Sequence, residues 1–250
     1  MKNILFLLII LLIVFLGLAS TQAGAGEIER IIEKGEIVVS LNNGYPPFAI
    51  VANENIQGLD ADLAKLIADY LDVKVRFILP ELYKEQIPKL LAGESDIIIA
   101  AMTRTVERGL KVDFSDPYYE VSQAALVDRG MVAREANSYF DLVDVPGIRI
   151  GVKADTTIAR FARELFPAEA VKIYPDHPMA VDALLKGEVD ATVHDSPFVR
   201  VWAGTHPEHT RRIKPLLQPV TKEYYGFAIR KGDPDSLNWL NLFITQVKID

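Results

Sequence analysis

Short apolar runs alternate with stretches of helical periodicity along most of the chain. Each apolar run is bounded by turn-forming residues and therefore predicts a strand. The predicted strands are 37–41, 73–78, 96–101, 148–152, 171–174, 190–194 and 224–229. Between them, the spacing of apolar residues predicts helices over 58–71, 83–91 and 179–185, with a further helix that starts after 155–157. Strands that alternate with helices in this way are typical of an α/β protein with mainly parallel strands.

The predicted elements fall into two successive strand–helix–strand systems. The first runs from the strand at 37–41 to that at 96–101, and the second from 148–152 to 190–194. The last predicted strand, 224–229, is placed to return to the first system. The chain length of 250 residues suits two small lobes.

The N-terminal residues predict a secretory signal peptide over 1–25. Lys2 precedes an apolar run over 4–18, and small residues such as Ala23 and Ala25 follow at the expected cleavage region. The alternative is an uncleaved anchor, but the run is short for a bilayer that needs about 20 apolar residues. We therefore expect an exported protein whose mature chain begins near Glu27.

The composition excludes several classes of function. The net charge of -7 argues against nucleic-acid binding, which requires a basic surface. The absence of cysteine excludes disulfides, thiolate nucleophiles, zinc–thiolate sites and iron–sulfur clusters. Neither His194 nor Asp195 has a second histidine or acid at metal-ligand spacing, so we expect no metal and no cofactor.

The loop over 100–108 is the strongest candidate for a binding site. It directly follows a buried strand, and open α/β sheets bind ligands at the carboxyl ends of their strands. Thr105 can cap a short helix, which leaves backbone N–H groups near Thr103 free to meet an anion. Arg108 adds a planar fork that matches a carboxylate. The alternative for Arg108 is an ordinary surface arginine.

The second system carries two complementary features. Thr156 precedes a predicted helix, so its hydroxyl and the nearby amides can receive an anion, although an ordinary helix cap is the alternative. Asp195 ends a strand, with Ser196 as the predicted cap of the next helix and Pro197 at its first position. A carboxylate there, opposite Arg108, can meet an ammonium group; the alternative is a turn aspartate. For His194 the alternative is a core histidine.

Aromatic residues at strand ends predict a lined cleft. Tyr45 and Phe48 flank a Pro–Pro turn after the first strand, and Tyr83 starts the helix after the second. Aromatic faces at these positions can stack on an aliphatic or amide group. For any one of these residues, the alternative is a core aromatic.

Four segments resemble the polar amino-acid-binding family of solute-binding proteins that feed ABC importers. They are 58–68, 96–108, 112–119 and 151–157, in the order found in that family. Ala61 departs from the family pattern, which usually has a larger apolar residue there. The resemblance covers nearly the whole mature chain. It implies a two-lobed periplasmic-binding-protein fold (type II), in which each lobe is a mostly parallel sheet flanked by helices.

The resemblance also implies two hinge crossings, near 120–122 and 223–226. The expected first lobe comprises 26–120 and 225–250, and the second comprises 121–224.

By the same resemblance, Arg108, Thr103 and Thr156 hold the α-carboxylate of a free amino acid. Asp195 and the backbone of Ala101 hold its α-ammonium group. The matching positions further imply that Tyr45 and Tyr83 form walls around the ligand's side chain, and that His194 faces it, as in glutamine-binding members.

Asn42 stands where binders of cationic amino acids often carry an aspartate. Its neutrality predicts a polar, uncharged ligand such as glutamine. Arginine and lysine stay open, because Glu81 or Glu85 could supply charge from a neighbouring position.

The implied protein is a periplasmic monomer that delivers its amino acid to the permease of an ABC importer and is not an enzyme. One alternative is a cyclohexadienyl-dehydratase-like enzyme on the same scaffold. Those enzymes carry a glutamate where this chain has Phe198, which counts against a general acid there. The other alternative is a sensory or cell-wall-enzyme input domain of a longer protein, since family members usually continue past Asp250.

Overall fold

The computed structural model describes residues 26–42, 44–52 and 55–249. The predicted signal peptide over 1–25 lies outside these residues. Within the described part, no helix is long and apolar enough to cross a bilayer.

A five-stranded sheet forms the centre of the first lobe. With elements numbered in chain order, its strands are β1 (Glu36–Ser40), β4 (Lys74–Ile78), β5 (Ile97–Ile98), β6 (Asp113–Phe114) and β14 (Ala228–Ile229). They lie in the order β4–β1–β5–β14–β6; β1 pairs in parallel with β4 and β5, while β14 is antiparallel to β5 and β6. A small hairpin of β2 (Ile50–Ala52) and β3 (Asn55–Gln57) lies beside the sheet. The helices of this lobe are α1 (Glu27–Lys34), α2 (Leu59–Leu71), α3 (Gln86–Leu91), α4 (Val106–Gly109) and α8 (Pro234–Ile249).

A second five-stranded sheet forms the centre of the second lobe. Its strands are β8 (Gln123–Asp128), β9 (Ile150–Lys153), β10 (Val171–Tyr174), β11 (Ala191–Asp195) and β12 (Ile213–Leu216). They lie in the order β10–β9–β11–β8–β12; β10, β9 and β11 are parallel, and β8 runs antiparallel to β11 and β12. The helices are α5 (Thr157–Leu165), α6 (His177–Lys186) and α7 (Ser196–Thr205).

Two short antiparallel strands join the lobes. Strand β7 (Tyr119–Val121) pairs with β13 (Glu223–Tyr225). Each lobe has its own apolar core, centred on residues such as Val39 and Ile67 in the first and Ile150 and Val193 in the second. The last strand, β14, returns to the first sheet, as the apolar pattern predicts. The residues at which a hinge would bend stay a prediction.

Two predicted strands are shorter than expected because the chain leaves the sheet to build loops. Only Ile97 and Ile98 of the predicted strand 96–101 pair with β1, and the backbone turns at Ala101, whose φ is 47°. The predicted strand 224–229 is split into β13 and β14 at Gly226. A Cβ at Gly226 would lie 2.9 Å from the Arg104 side chain, which would have to shift to admit a larger residue.

The predicted start of α7 is also corrected. The helix begins at Ser196, and Asp195 occupies the capping position without using its side chain as a cap. Ser196 instead donates its N–H to Ser122 O at 2.8 Å. Asp195 therefore keeps its carboxylate free for other contacts.

Gly58 fastens the loop after β1 to the start of α2. Its φ is 111°, and a Cβ there would lie 2.6 Å from the carbonyl oxygens of Pro47 and Phe48. Those same oxygens accept hydrogen bonds from the N–H groups of Leu59 and Asp60. This junction fixes the position of the loop that carries Tyr45.

We expect Gly58→Ala to destabilise the fold by about 1–3 kcal/mol, because it adds a backbone clash to an unfavourable φ. Urea unfolding measures the change. Gly93→Ala is the matched control, since Gly93 also has a positive φ of 76° but open space around its Cβ. Equal losses in the two variants would show that the close approach at Gly58 is unimportant.

Candidate functional site

A cleft between the lobes gathers all of the predicted site residues except His194. The first lobe contributes Asn42, Tyr45, Tyr83, Ala101, Thr103 and Arg108. The second contributes Lys153, Thr156, Thr157, Ile158, His177 and Asp195. Several of these residues follow the carboxyl ends of β1, β5, β9 and β11, which is where parallel sheets place ligands.

The two lobes are closed onto each other across this cleft. The Tyr45 hydroxyl donates to Asp195 Oδ2 at 2.6 Å, and Lys153 Nζ donates to Asn42 Oδ1 at 3.1 Å. Near the mouth, Arg160 pairs with Glu107 at 2.8 Å. These contacts leave a cavity of only about 20 Å³.

Asp195 is a buried carboxylate, and one of its two oxygens has no hydrogen-bond partner among the described residues. Its side chain accepts hydrogen bonds from the hydroxyls of Tyr45 and Tyr225, both on Oδ2. Oδ1 is enclosed and has no hydrogen-bond partner among the described residues, and Asp195 as a whole is 7% exposed. Burial raises the pKa of Asp195 to about 6, although the two hydroxyls act in the opposite direction. A cationic donor at Oδ1 would complete this carboxylate.

Arg108 is held on the opposite side of the cleft. Its backbone N–H is capped by the Thr105 hydroxyl at 3.2 Å, as predicted. One guanidinium nitrogen donates to the Thr103 carbonyl at 2.8 Å, and the guanidinium carbon lies 5.5 Å from the centre of the Tyr83 ring. These contacts position the fork while its remaining donors can turn toward a carboxylate. The Thr103 side chain is nearly buried at the cleft wall and supplies a hydroxyl next to the fork.

Thr156 serves a different purpose from the one predicted for its hydroxyl. That hydroxyl donates its one proton to the Lys153 carbonyl at 2.8 Å and accepts the Ala159 N–H at 3.0 Å, so it caps α5 and has no proton left for an anion. The N–H groups of Thr157 and Ile158 have no backbone partner in the described part of the chain. The start of α5 therefore offers the cleft backbone donors, which favour an anion.

Ala101 is held in a conformation that non-glycine residues rarely adopt. Its N–H donates to the Tyr118 hydroxyl at 3.2 Å, and this hydroxyl donates to the carboxyl group of Asp60 at 2.7 Å. Burial raises the pKa of Asp60 to about 7. The chain of contacts from Asp60 holds the N–H group of Ala101, and the carbonyl of the same residue is the expected partner of an ammonium group.

Lys153 is a site residue that the sequence analysis did not assign. It is 5% exposed, and its Nζ lies 5.0 Å from the centre of the Tyr83 ring as well as next to Asn42. Burial lowers the pKa of Lys153 to about 8. Its position at the end of β9 satisfies the strand-end rule that found Asp195, so the signal was present. Neither Glu81 nor Glu85 lines the cleft, and Asp195 is the one carboxylate among the described lining residues.

The structure corrects the placement of His194. It is fully buried, and its ring lies behind that of His177, with the two Nδ1 atoms 2.8 Å apart. His177, which begins α6 after the cap at Asp176, is the histidine that lines the cleft; its ring stacks on Tyr45 at 4.4 Å. Burial lowers the pKa of His194 to about 3 and that of His177 well below its usual value.

No group of three or more histidine or acidic side chains that could hold a metal ion occurs in the described residues.

Comparisons with known proteins identify the family of this chain. Residues 37–250 match the family of bacterial extracellular solute-binding proteins, family 3. ABC transporter arginine-binding protein 1 of Escherichia coli (strain K12) is 29% identical over 93% of this chain and 91% of the relative. An ABC transporter glutamine-binding protein of Bacillus subtilis (strain 168) is 28% identical over 94% of this chain and 84% of the relative.

A solved structure shows the same architecture. The ancestral amino acid-binding protein AncCDT-1, a precursor of cyclohexadienyl dehydratase, superposes with a TM-score of 0.80 and 35% identity over 90% of this chain and 95% of the other. The fold is accordingly the two-lobed, type II architecture of periplasmic binding proteins, as the resemblance implied. The match over most of the chain leads to one conclusion: this protein belongs to family 3 of the bacterial extracellular solute-binding proteins.

Proposed function

We propose that the protein captures a free L-amino acid between its lobes and delivers it to the permease of an ABC importer. The observation that carries this proposal is the pairing, across one cleft, of the Arg108 fork with the unfilled Oδ1 of Asp195. A free amino acid presents a carboxylate and an ammonium group on one carbon, so one small molecule can satisfy both.

The carboxylate end has three kinds of donor. They are the guanidinium of Arg108, the hydroxyl of Thr103 and the backbone N–H groups at the start of α5. The first two belong to the first lobe and the last to the second. A carboxylate bound here would thus connect the lobes and favour their closure.

The ammonium end has two acceptors, Asp195 Oδ1 and the carbonyl of Ala101. Asp195 belongs to the second lobe and Ala101 to the first. Since each hydrogen bond to a charged group contributes about 1.5–3 kcal/mol, the two ends together supply most of the affinity.

The ligand's side chain is polar and uncharged in our proposal, with glutamine as the best candidate. An arginine or lysine side chain would meet the ammonium of Lys153 and, within the described lining, no second carboxylate. Like charges in a buried cleft repel, which disfavours such ligands. The relatives include both arginine- and glutamine-binding proteins, so the family alone does not choose between them.

Delivery to a permease requires export and a hinge. We place the hinge at the crossings near 120–122 and 223–226, where the lobes are joined by β7 and β13. We further propose that the protein acts as a periplasmic monomer after removal of residues 1–25.

The enzyme alternative finds little support in the cleft. Phe198 stands where the dehydratases carry a glutamate, and its ring lies 4.4 Å from that of His194 in the apolar interior. The acid group that dehydration needs is therefore missing from this position.

We expect Arg108→Ala to weaken amino-acid binding at least tenfold, because it removes the charged fork from the carboxylate end. A thermal-shift screen of the twenty amino acids first identifies the ligand, since a ligand at 100 times its Kd adds about 2.7 kcal/mol of stability. Calorimetry then compares the variants. Arg163→Ala, an exposed arginine on α5, is the control and should bind normally. Unchanged affinity in Arg108→Ala would remove Arg108 from the site.

Affinity should fall about tenfold between pH 7.5 and pH 5. Asp195 must be ionised to hold the ammonium, and its pKa of about 6 in the free protein means that acid neutralises it over this range. Calorimetry at a series of pH values measures the effect. A flat profile would show that Asp195 does not carry the ammonium.

The effect of pH on the stability of the ligand-free protein should be opposite to its effect on affinity. Because the pKa of Asp195 in the fold lies above its ordinary value of 3.8, this carboxyl destabilises the fold progressively as the pH rises through about 6. Without ligand, Asp195→Asn should therefore be more stable than the wild type at pH 7.5, and the difference should shrink toward pH 4. Thermal unfolding of both proteins provides the comparison.

We expect no turnover of prephenate or arogenate, because Phe198 replaces the acid group. Ultraviolet absorbance detects the aromatic product that dehydration would form. Phe198→Ala is the control, because it removes the phenyl ring without introducing an acid group. Product formation by the wild-type protein would establish the enzyme alternative in place of transport.

A further inference from the structure

Two buried histidines of the second lobe, His177 and His194, have no part in holding the carboxylate or the ammonium group. His177 reaches the cleft, whereas His194 is enclosed among Phe198 and the strands of the second sheet. Their Nδ1 atoms are 2.8 Å apart, which is a hydrogen-bond distance. The inference drawn from this pair rests on the proposed function and concerns the kind of side chain that the cleft accepts.

A hydrogen bond between two Nδ1 atoms requires a proton on only one of them. Both rings are neutral, because burial and the nearby Lys153 disfavour a positive charge on either ring. Each neutral ring carries a single proton, so the choice at Nδ1 also decides the state of each Nε2. Two arrangements are therefore available to the pair.

The environment of His194 Nε2 separates these arrangements. This atom is fully enclosed and has no hydrogen-bond partner among the described residues. A buried N–H group without an acceptor is rarer and more costly in proteins than an acceptor without a donor. The proton of His194 thus belongs on Nδ1, where it is donated to His177.

The same hydrogen bond makes His177 Nδ1 an acceptor, which puts the His177 proton on Nε2. His177 Nε2 neither accepts nor donates a hydrogen bond within the described part of the chain. Unlike His194 Nε2, it is not one of the fully enclosed atoms that lack a partner. The His177 ring lines the cleft, and Tyr45 stacked on one face holds it in place.

We propose that the His194–His177 hydrogen bond fixes His177 as a donor toward the cleft, so that the side chain of the bound amino acid must offer an acceptor there. The Lys153 ammonium adds a second donor on the same side of the cleft. It donates one hydrogen bond to Asn42 Oδ1. Amide and carboxylate oxygens meet this requirement. Guanidinium and ammonium groups have donors only, and they are excluded.

Nitrogen-15 NMR of the ring nitrogens tests the tautomers without any ligand. The chain has four histidines, and His206→Ala and His209→Ala assign the two that do not belong to the His177–His194 pair. We expect protons on His194 Nδ1 and His177 Nε2 at neutral pH. A proton on His194 Nε2, or averaged signals that report exchange between both arrangements, would overturn the proposal.

Calorimetry with the wild-type protein tests the consequence for ligands. Glutamine or glutamate should bind more tightly than arginine or lysine. In His177→Ala, glutamine should bind about two- to tenfold more weakly, the value of one neutral hydrogen bond, while norleucine, which has no side-chain acceptor, should be unaffected. His177→Gln retains an N–H donor and should restore most of the loss, and His209→Ala is the surface control.

Tighter binding of arginine than of glutamine, or an equal loss for glutamine and norleucine, would overturn the proposal. If none of the amino acids binds, the proposed function fails, and the NMR result alone decides whether His177 presents a donor.

Discussion

The buried carboxylate of Asp195 is the group on which the arrangement of the cleft depends. It lies at the end of a central strand of the second lobe and receives hydroxyl groups from Tyr45 of the first lobe and Tyr225 of the joining strands. One side chain thereby connects three parts of the molecule. Because Oδ1 has no partner in the described structure, the carboxylate is held at an energetic cost that a bound cation would offset.

The charges of the cleft are arranged around this carboxylate. Arg108 of the first lobe and Lys153 of the second both approach the Tyr83 ring, at 5.5 Å and 5.0 Å from its centre. The lobes also contact each other directly, through the buried hydrogen bonds Tyr45–Asp195 and Lys153–Asn42 and the stacking of Tyr45 on His177. The exposed pair of Glu107 and Arg160 adds only about 0–1 kcal/mol.

The residues that the sequence analysis placed correctly obey rules that depend on local sequence. Thr105 caps its helix because a threonine hydroxyl can accept the N–H of the residue three positions later, here Arg108. Asp195 reaches the cleft because the carboxyl ends of parallel strands share one edge of the sheet. The same rule applies to Lys153, which the sequence analysis included in the segment 151–157 without giving it a role.

The remaining details depend on packing that the sequence does not display. Strand β11 is buried along its whole length, so no polar alternation tells which way His194 points. His177 enters the cleft because Asp176 starts α6 at that point and Tyr45 of the other lobe stacks on the ring. The Thr156 hydroxyl was expected to face a ligand, but a nearby carbonyl and N–H satisfy it first.

A crystal structure of the protein with its bound amino acid tests the central claim most directly. Our account predicts the α-ammonium within hydrogen-bond distance of Asp195 Oδ1 and the α-carboxylate against Arg108 and the N–H groups that begin α5. An ammonium group bound away from Asp195, whose carboxylate would then still have only the hydroxyls of Tyr45 and Tyr225 as partners, would contradict the account.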